Sequence, residues 1–400
     1  MSDTAADPRL LRAPPKRGIR LSWADERLRA IVWQVLVLGV VAGIVWWLVR
    51  NTQHNLEVRR IATGWDFLSR EAGLPIAEHV IPYTPASTYA RALLVGVLNT
   101  LKVAVVGIIL ATVIGTMLGI ARLSKNWLLS RLAGVYIEAI RDVPLLLQLL
   151  FWYTLLQALP SPRQSLHPVT GVFLSNRGLR LPWIEWQDAH SFALLGLVIG
   201  AVITAIYTRS ARAKQMADGQ PRKVWPVALG LLIGLPVLIW LGFGAPFTGD
   251  IPELRGFNFT GGMAVTPEYF ALLLGLVTYT AAFIAEIVRA GIQAVAKGQW
   301  EAAEALGLSR GLIMRKIVLP QALRVIVPPM TSQYLNLTKN SSLAVAIGYQ
   351  DIVSIANTTL NQTGQAIEGI TIIMVVYLTI SLSISLFMNW YNARIALVER

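Results

Sequence analysis

Runs of about twenty apolar residues recur along this chain, and each is long enough to cross the hydrocarbon core of a bilayer as a helix. No water is present at that depth to satisfy exposed backbone groups, so such a chain folds as a helical bundle. The expected spans are about 30–49, 94–121, 137–159, 191–208, 224–243, 268–288, 325–347 and 370–390. Composition agrees: 54% of the residues are hydrophobic, 14% are charged, and mean hydropathy is +0.55, outside the ordinary range of soluble domains. The fold class expected is an all-α integral membrane protein with about eight transmembrane helices.

The net charge of +13 would suit a nucleic-acid binder, but its placement argues otherwise. Basic residues crowd positions 1–29 and then fall mainly in alternate loops, the pattern that orients membrane helices. Eight crossings put both termini in the cytoplasm, together with the basic stretch Arg209 to Lys223. The largely hydrophilic segment 50–91, with Trp65, Phe67 and Tyr83, reads as an amphipathic helix on the outer face. The run 30–49 lacks an Ala-x-Ala exit and is expected to be a retained span. There is no cysteine, and His54, His79, His167 and His190 are scattered without metal spacing. No Gly-x4-Gly-Lys-Ser/Thr phosphate loop exists, so ATP is not bound here in that manner, and no catalytic residue, metal or cofactor is expected in this chain.

Between Glu301 and Pro320 the chain reads Glu-Ala-Ala, three residues, Gly307, nine residues, Ile317, one residue, Leu-Pro. Ala302 to Leu306 is rich in helix formers, and Gly307 stands where a helix end favours positive φ. Ser309 is expected to N-cap a second short helix carrying Leu312, Ile313 and Ile317, with Pro320 restricting its continuation. The product is a hook with tiny side chains at its tip, open to close approach by another protein's backbone. Arg289, Lys297, Arg310, Arg315 and Lys316 surround it and place it in the cytoplasm.

This spacing resembles the EAA loop of type I ABC importer permeases, the element that docks on the transport ATPase. The plainer reading is a helical hairpin between two spans. Gly298-Gln299 precede the loop as in the polar amino acid branch. The resemblance covers about 92–159, through Gly96, Asn99-Thr100-Leu101, Tyr136-Ile137-Glu138, Arg141, Pro144 and Gln148. It resumes over 267–392, through Glu286, Arg289-Ala290-Gly291-Ile292, Pro320-Gln321-Ala322-Leu323 and Lys339 to Leu343. It implies a five-helix core in two parts, 92–159 and 267–400, with the EAA loop at 298–320. To this the chain adds a basic cytoplasmic tail 1–29, a helix 30–49, a periplasmic segment 50–91 and an insertion 160–266 holding two helices. That plan is similar to the larger permease of the general L-amino acid transporters of Gram-negative bacteria.

The resemblance further implies coupling to an ATPase through Glu301, Ala302, Ala303, Gly307 and Leu308. The implied partners are a second homologous permease in a heterodimer, two ABC ATPase subunits that bind ATP and Mg, and a periplasmic amino acid binding protein. The setting is the lipid of a bacterial inner membrane, without nucleic acid. An importer of another polar solute and an ion-coupled secondary transporter are the alternatives. The latter favours an internal repeat or a buried acidic coupling site, and the sequence shows no convincing repeat. One departure from the family is Asn340, where many members carry Asp.

A translocation path needs polar groups facing a bundle interior, because a Lys in mid-span costs ~2.5–3.5 kcal/mol on the insertion scale. Lys339, beside Asn336, Asn340 and Ser341, either attracts the carboxylate common to amino acids or snorkels to the interface. Thr100, Gln148 and Thr280 supply neutral groups, either to the path or to bonds between helices. Glu286 and Arg289 are spaced for a helical ion pair, and Glu138 and Arg141-Asp142 for structure or gating. Gly107, Ala111, Gly115 and Gly119 form a small-residue stripe for close helix packing, as do Gly196 with Gly200 and Gly230 with Gly234.

Overall fold

A computed structural model describes residues 26–59, 63–220, 223–246 and 249–395; the basic tail through residue 25 lies outside them. The described residues form two compact units, one of those up to 64 with 363–365 and one of those from 65 to 362 with 366–395. The first holds helix α1 (Glu26–Arg59), whose 34 residues run well past the expected span at 49. At 1.5 Å per residue it is about 51 Å long, more than a bilayer core requires.

The second unit is built around α2 (Tyr89–Arg122), α3 (Trp127–Asp142), α4 (Leu145–Gln157) and α8 (Pro267–Gln293), the labels following chain order. The residues between α1 and α2 do not form the amphipathic helix expected. After one short turn at Asp66–Ser69 they run irregularly as a strap, with Phe67, Leu74, Ile76 and Tyr83 buried. The insertion contains α5 (Asp188–Asp218), α6 (Trp225–Leu229) and α7 (Leu235–Gly242). Its strands are β1 (Phe173–Ser175), β2 (Gly178–Leu181), β3 (Trp183–Ile184), β4 (Gly249–Asp250), β5 (Glu253–Arg255), β6 (Asn258–Thr260) and β7 (Met263–Val265). Antiparallel β2–β7 and β3–β4 pairs zip the two ends of the insertion together, so the helix pair hangs from a β stem. The helical membrane fold thus carries a small β ornament that apolar runs do not announce.

After α8 come α9 (Lys297–Ala305), α10 (Arg310–Ile313), α11 (Leu319–Asn340), α12 (Ile352–Thr363) and α13 (Ala366–Ile395). Among the described residues six helices are long and apolar enough to cross a membrane, seven if α3 and α4 count as one bent span. The remaining expected crossing is α11, whose 22 residues reach about 33 Å but carry more polar groups. The span expected as one rod at 137–159 is instead an elbow of 104° between α3 and α4. Pro144 biases Val143 to extended backbone, and Gln148 Nε2 donates to the freed carbonyls of Ile140 (2.9 Å) and Val143 (3.0 Å).

The core is the parallel pair α2–α8. A Cβ on Gly115 would lie 2.7 Å from Ile284 Cβ and 2.8 Å from the Ala281 carbonyl oxygen. One turn on, a Cβ on Gly119 would lie 2.7 Å from the Ala285 carbonyl oxygen. The stripe therefore lets backbone meet backbone. Gly196 and Gly200 likewise face Ile239 and Leu231 across the inserted pair, but Gly230 and Gly234 face open space and flank a π turn instead. The helix does not need their small size for packing.

Candidate functional site

The hook between α8 and α11 is set by one helix end. The Leu308 N–H donates to the Ala303 carbonyl (3.2 Å) and the Gly307 N–H to the Glu304 carbonyl (2.9 Å), with Gly307 at φ +71°. That double bond closes α9 in a Schellman motif, a conformation costing an ordinary L-residue roughly 1–2 kcal/mol. Ser309 precedes α10 in extended conformation, but its side chain makes no capping bond. Pro320 does not break the next helix. Arg310 to Asn340 run on in helical backbone through α10, a π turn at Met314–Val318 and α11, and the π turn just before Pro320 takes up the ladder bond that its missing N–H cannot make.

The five hook residues divide by face. Ala303 is 2% exposed and packs into its own chain, with Leu308 half-buried beside it. Glu301, Ala302 and Gly307 are exposed, and at the tip Leu306 stands 77% exposed. The tip is therefore an apolar knob rather than a cleft of tiny side chains. Gln321 Nε2 ties the hook back by donating to Gln299 Oε1 (3.3 Å) and the Ile317 carbonyl (3.0 Å).

At the same end of the bundle, Arg122 of α2 contacts Glu138 of α3 (2.9 Å) and Glu286 of α8 (3.0 Å). Glu286 also pairs with Arg289, as its spacing predicts. At the opposite end, near the β stem, Lys102 is not stranded inside a span. Its Nζ lies 3.0 Å from Glu78 of the strap and 4.1 Å from the centre of the Tyr269 ring. The 20 residues from Lys102 to Arg122 rise about 30 Å, so a hydrocarbon core fits between these two ion clusters.

Glu78 Oε1 also accepts the Thr266 N–H (2.9 Å), and the Glu78 carbonyl accepts Asn99 Nδ2 (2.9 Å). Gln350 clasps the strap twice, accepting from the Ala77 N–H (2.7 Å) and donating to the Pro75 carbonyl (2.8 Å). Below it, Asp351 starts α12. Its Oδ1 accepts the Ser354 N–H (2.8 Å), and its Oδ2 accepts from the Tyr377 hydroxyl of α13 (3.4 Å). No local pattern marks the partners of Glu78 and Gln350, which lie 24 and 275 positions away, whereas Asp351 has the local spacing of a helix N-cap.

The path candidates split in two. Thr100 is buried, donating to the Gly96 carbonyl (3.0 Å) and accepting from the Ile352 N–H (3.2 Å). Gln148 braces the elbow, Thr280 is buried in α8, and Ser341 donates to the Thr338 carbonyl (2.7 Å). All four are buried within the bundle. Asn336 and Lys339 are exposed and Asn340 is half-buried, together on one face of α11 near the stem end. No carboxylate pairs with Lys339 among the described residues.

Residues 226–397 match the family of the binding-protein-dependent transport system inner membrane component. A solved chain, from a crystal structure of an amino acid ABC transporter with histidines, aligns with 76% of this chain and 95% of its own, at 21% identity and a TM-score of 0.45. A putative amino-acid ABC transporter permease of Escherichia coli is 52% identical over 95% of this chain and 97% of its own. A general L-amino acid transport system permease of Rhizobium johnstonii is 50% identical over 96% of each. A glutamate/glutamine/aspartate/asparagine transport system permease of Rhodobacter capsulatus is 44% identical over 97% of this chain and 99% of its own. With relatives matched from end to end, the chain belongs to the amino acid ABC transporter permeases.

Proposed function

We infer that this chain is the transmembrane permease subunit of an ATP-driven importer carrying L-amino acids into the bacterial cytoplasm. The observation that carries the reading is end-to-end similarity to amino acid permeases, hook and insertion included. The hook then docks on a separate ABC ATPase that binds ATP and Mg, with the exposed Leu306 knob and Glu301–Ala302 at the contact. Ala303, Gly307 and Leu308 act by holding that knob in place. A second permease completes the path in a heterodimer, and a periplasmic binding protein delivers substrate. Basic residues at the hook end of the bundle, and Arg209, Arg212 and Lys214 on α5, support a cytoplasmic hook and cytoplasmic termini. The open face with Asn336, Lys339 and Asn340 is the substrate-facing surface, Lys339 drawing the shared carboxylate.

One reconstitution experiment tests both ends of the reading. The complex is assembled with its second permease, ATPase and binding protein, and uptake is compared at equal assembled protein. Leu306→Glu should leave the chain inserted but reduce ATPase co-purification and coupled uptake at least about tenfold, the weight of ~1.4 kcal/mol. Lys339→Met should lower affinity roughly 5- to 150-fold for every amino acid carried, the span of ~1–3 kcal/mol for an ion interaction. Full coupling in the first variant sinks the docking assignment, and unchanged uptake in the second removes Lys339 from the path.

A further inference from the structure

At the hook end of the bundle a cavity of about 540 Å³ opens between the end of α2, the start of α3 and the end of α8. Arg122, Lys125, Arg131 and Arg289 line it with Glu138 and Trp127. Glu138 and Glu286 occupy Arg122 and Arg289, while Lys125 and Arg131 have no carboxylate partner among the described residues. The site therefore holds unneutralised positive charge. Arg122 lies about 30 Å along α2 from the Lys102–Glu78 pair, so with that pair at one edge of the hydrocarbon core the cavity lies at the other. That is headgroup level. Trp127 is 75% exposed, and Leu128, Leu129, Leu132 and Val135 leave an exposed apolar flank on the same helix. An indole at the interface, apolar side chains on one side and the two unneutralised cations on the other suit an amphiphile with an anionic head.

We propose that this cavity binds the phosphodiester headgroup of an anionic phospholipid, with the first segments of its acyl chains against Leu128, Leu129, Leu132 and Val135 and short of the charged elbow. The assignment rests on charge, depth and shape, and it stands or falls separately from what the transporter carries. The assembled complex is placed in nanodiscs of equal phosphatidylglycerol and phosphatidylcholine with identical acyl chains. Retained lipids are then counted by native mass spectrometry. The complex should retain phosphatidylglycerol preferentially, and Lys125→Gln with Arg131→Gln should weaken that preference about 25-fold, about fivefold per cation. Lys125→Arg with Arg131→Lys should keep it, which separates lost charge from lost fold. Arg209→Gln with Lys214→Gln, on α5, should keep it too. Equal losses from both glutamine pairs would mean diffuse surface charge and overturn the site, as would no preference in the unaltered complex. Displacement of the lipid by millimolar inorganic phosphate would assign the cavity to a free anion and overturn the lipid.

Discussion

At the stem end of the α2–α8 pair, Lys102 meets a single carboxylate, Glu78, whose side chain is only 10% exposed. At the hook end, Arg122 shares Glu138 and Glu286, and the Glu138 side chain is 65% exposed. The first arrangement is a lock. Its carboxylate is held by Lys102 and the Thr266 N–H, and breaking it strands a charge in a shielded place. The second is a redundant net in contact with water, where one lost bond is replaced by a neighbour or by solvent. On the proposed docking of the hook, redundancy suits this end, since motion passed from the partner would deform it without unfolding it.

The largest test removes what both ends share. Gly115→Leu would drive a side chain into Ile284 and the Ala281 carbonyl, and overpacking on that scale costs about 3 kcal/mol. Loss of most assembled complex, seen by size-exclusion chromatography, is expected; a normal yield would show that α2 and α8 can separate without harm. Next is Glu78→Gln, which keeps the acceptor for Thr266 but removes the charge. With Lys102 27% exposed, destabilisation of about 1–3 kcal/mol is expected in thermal unfolding, partly recovered by adding Lys102→Met. An additive double variant would deny the lock. The smallest is Glu138→Gln at the other end, expected below about 0.5 kcal/mol and erased by 1 M salt. A salt-resistant effect as large as that of Glu78 would abolish the contrast between the ends.

How much the sequence disclosed depends on how far apart the interacting groups lie in the chain. The hook was legible because its defining bonds join Ala303, Glu304, Gly307 and Leu308, all within one turn and its cap. The strap was not, because Gln350 finds the Pro75 carbonyl 275 positions away. Lys102 falls inside the expected span 94–121, and no local signal shows its carboxylate, which lies 24 residues upstream in a segment without helical period. Pro144 announced a boundary in principle, but the apolar run across it hid the turn. Identical Gly-x3-Gly spacings at 196–200 and 230–234 differ only in what stands opposite. Among the path candidates, residue type distinguished polar from apolar but not a solvated face from a bond to a neighbouring carbonyl.

The elbow at Pro144 carries a consequence for the surface around it. With 13 residues, α4 is about 20 Å long, too short to cross a core of about 30 Å. Its far end is fixed beside the first turn of α8, where the Tyr153 hydroxyl donates to Glu268 (3.3 Å), so its near end stops partway through the bilayer. Arg141 and Asp142 stand exposed at that stop. Acyl chains reject charges at such depth by ~2.5–3.5 kcal/mol each. The surface around the elbow is thus one that oil does not wet, and it demands protein or water as its neighbour.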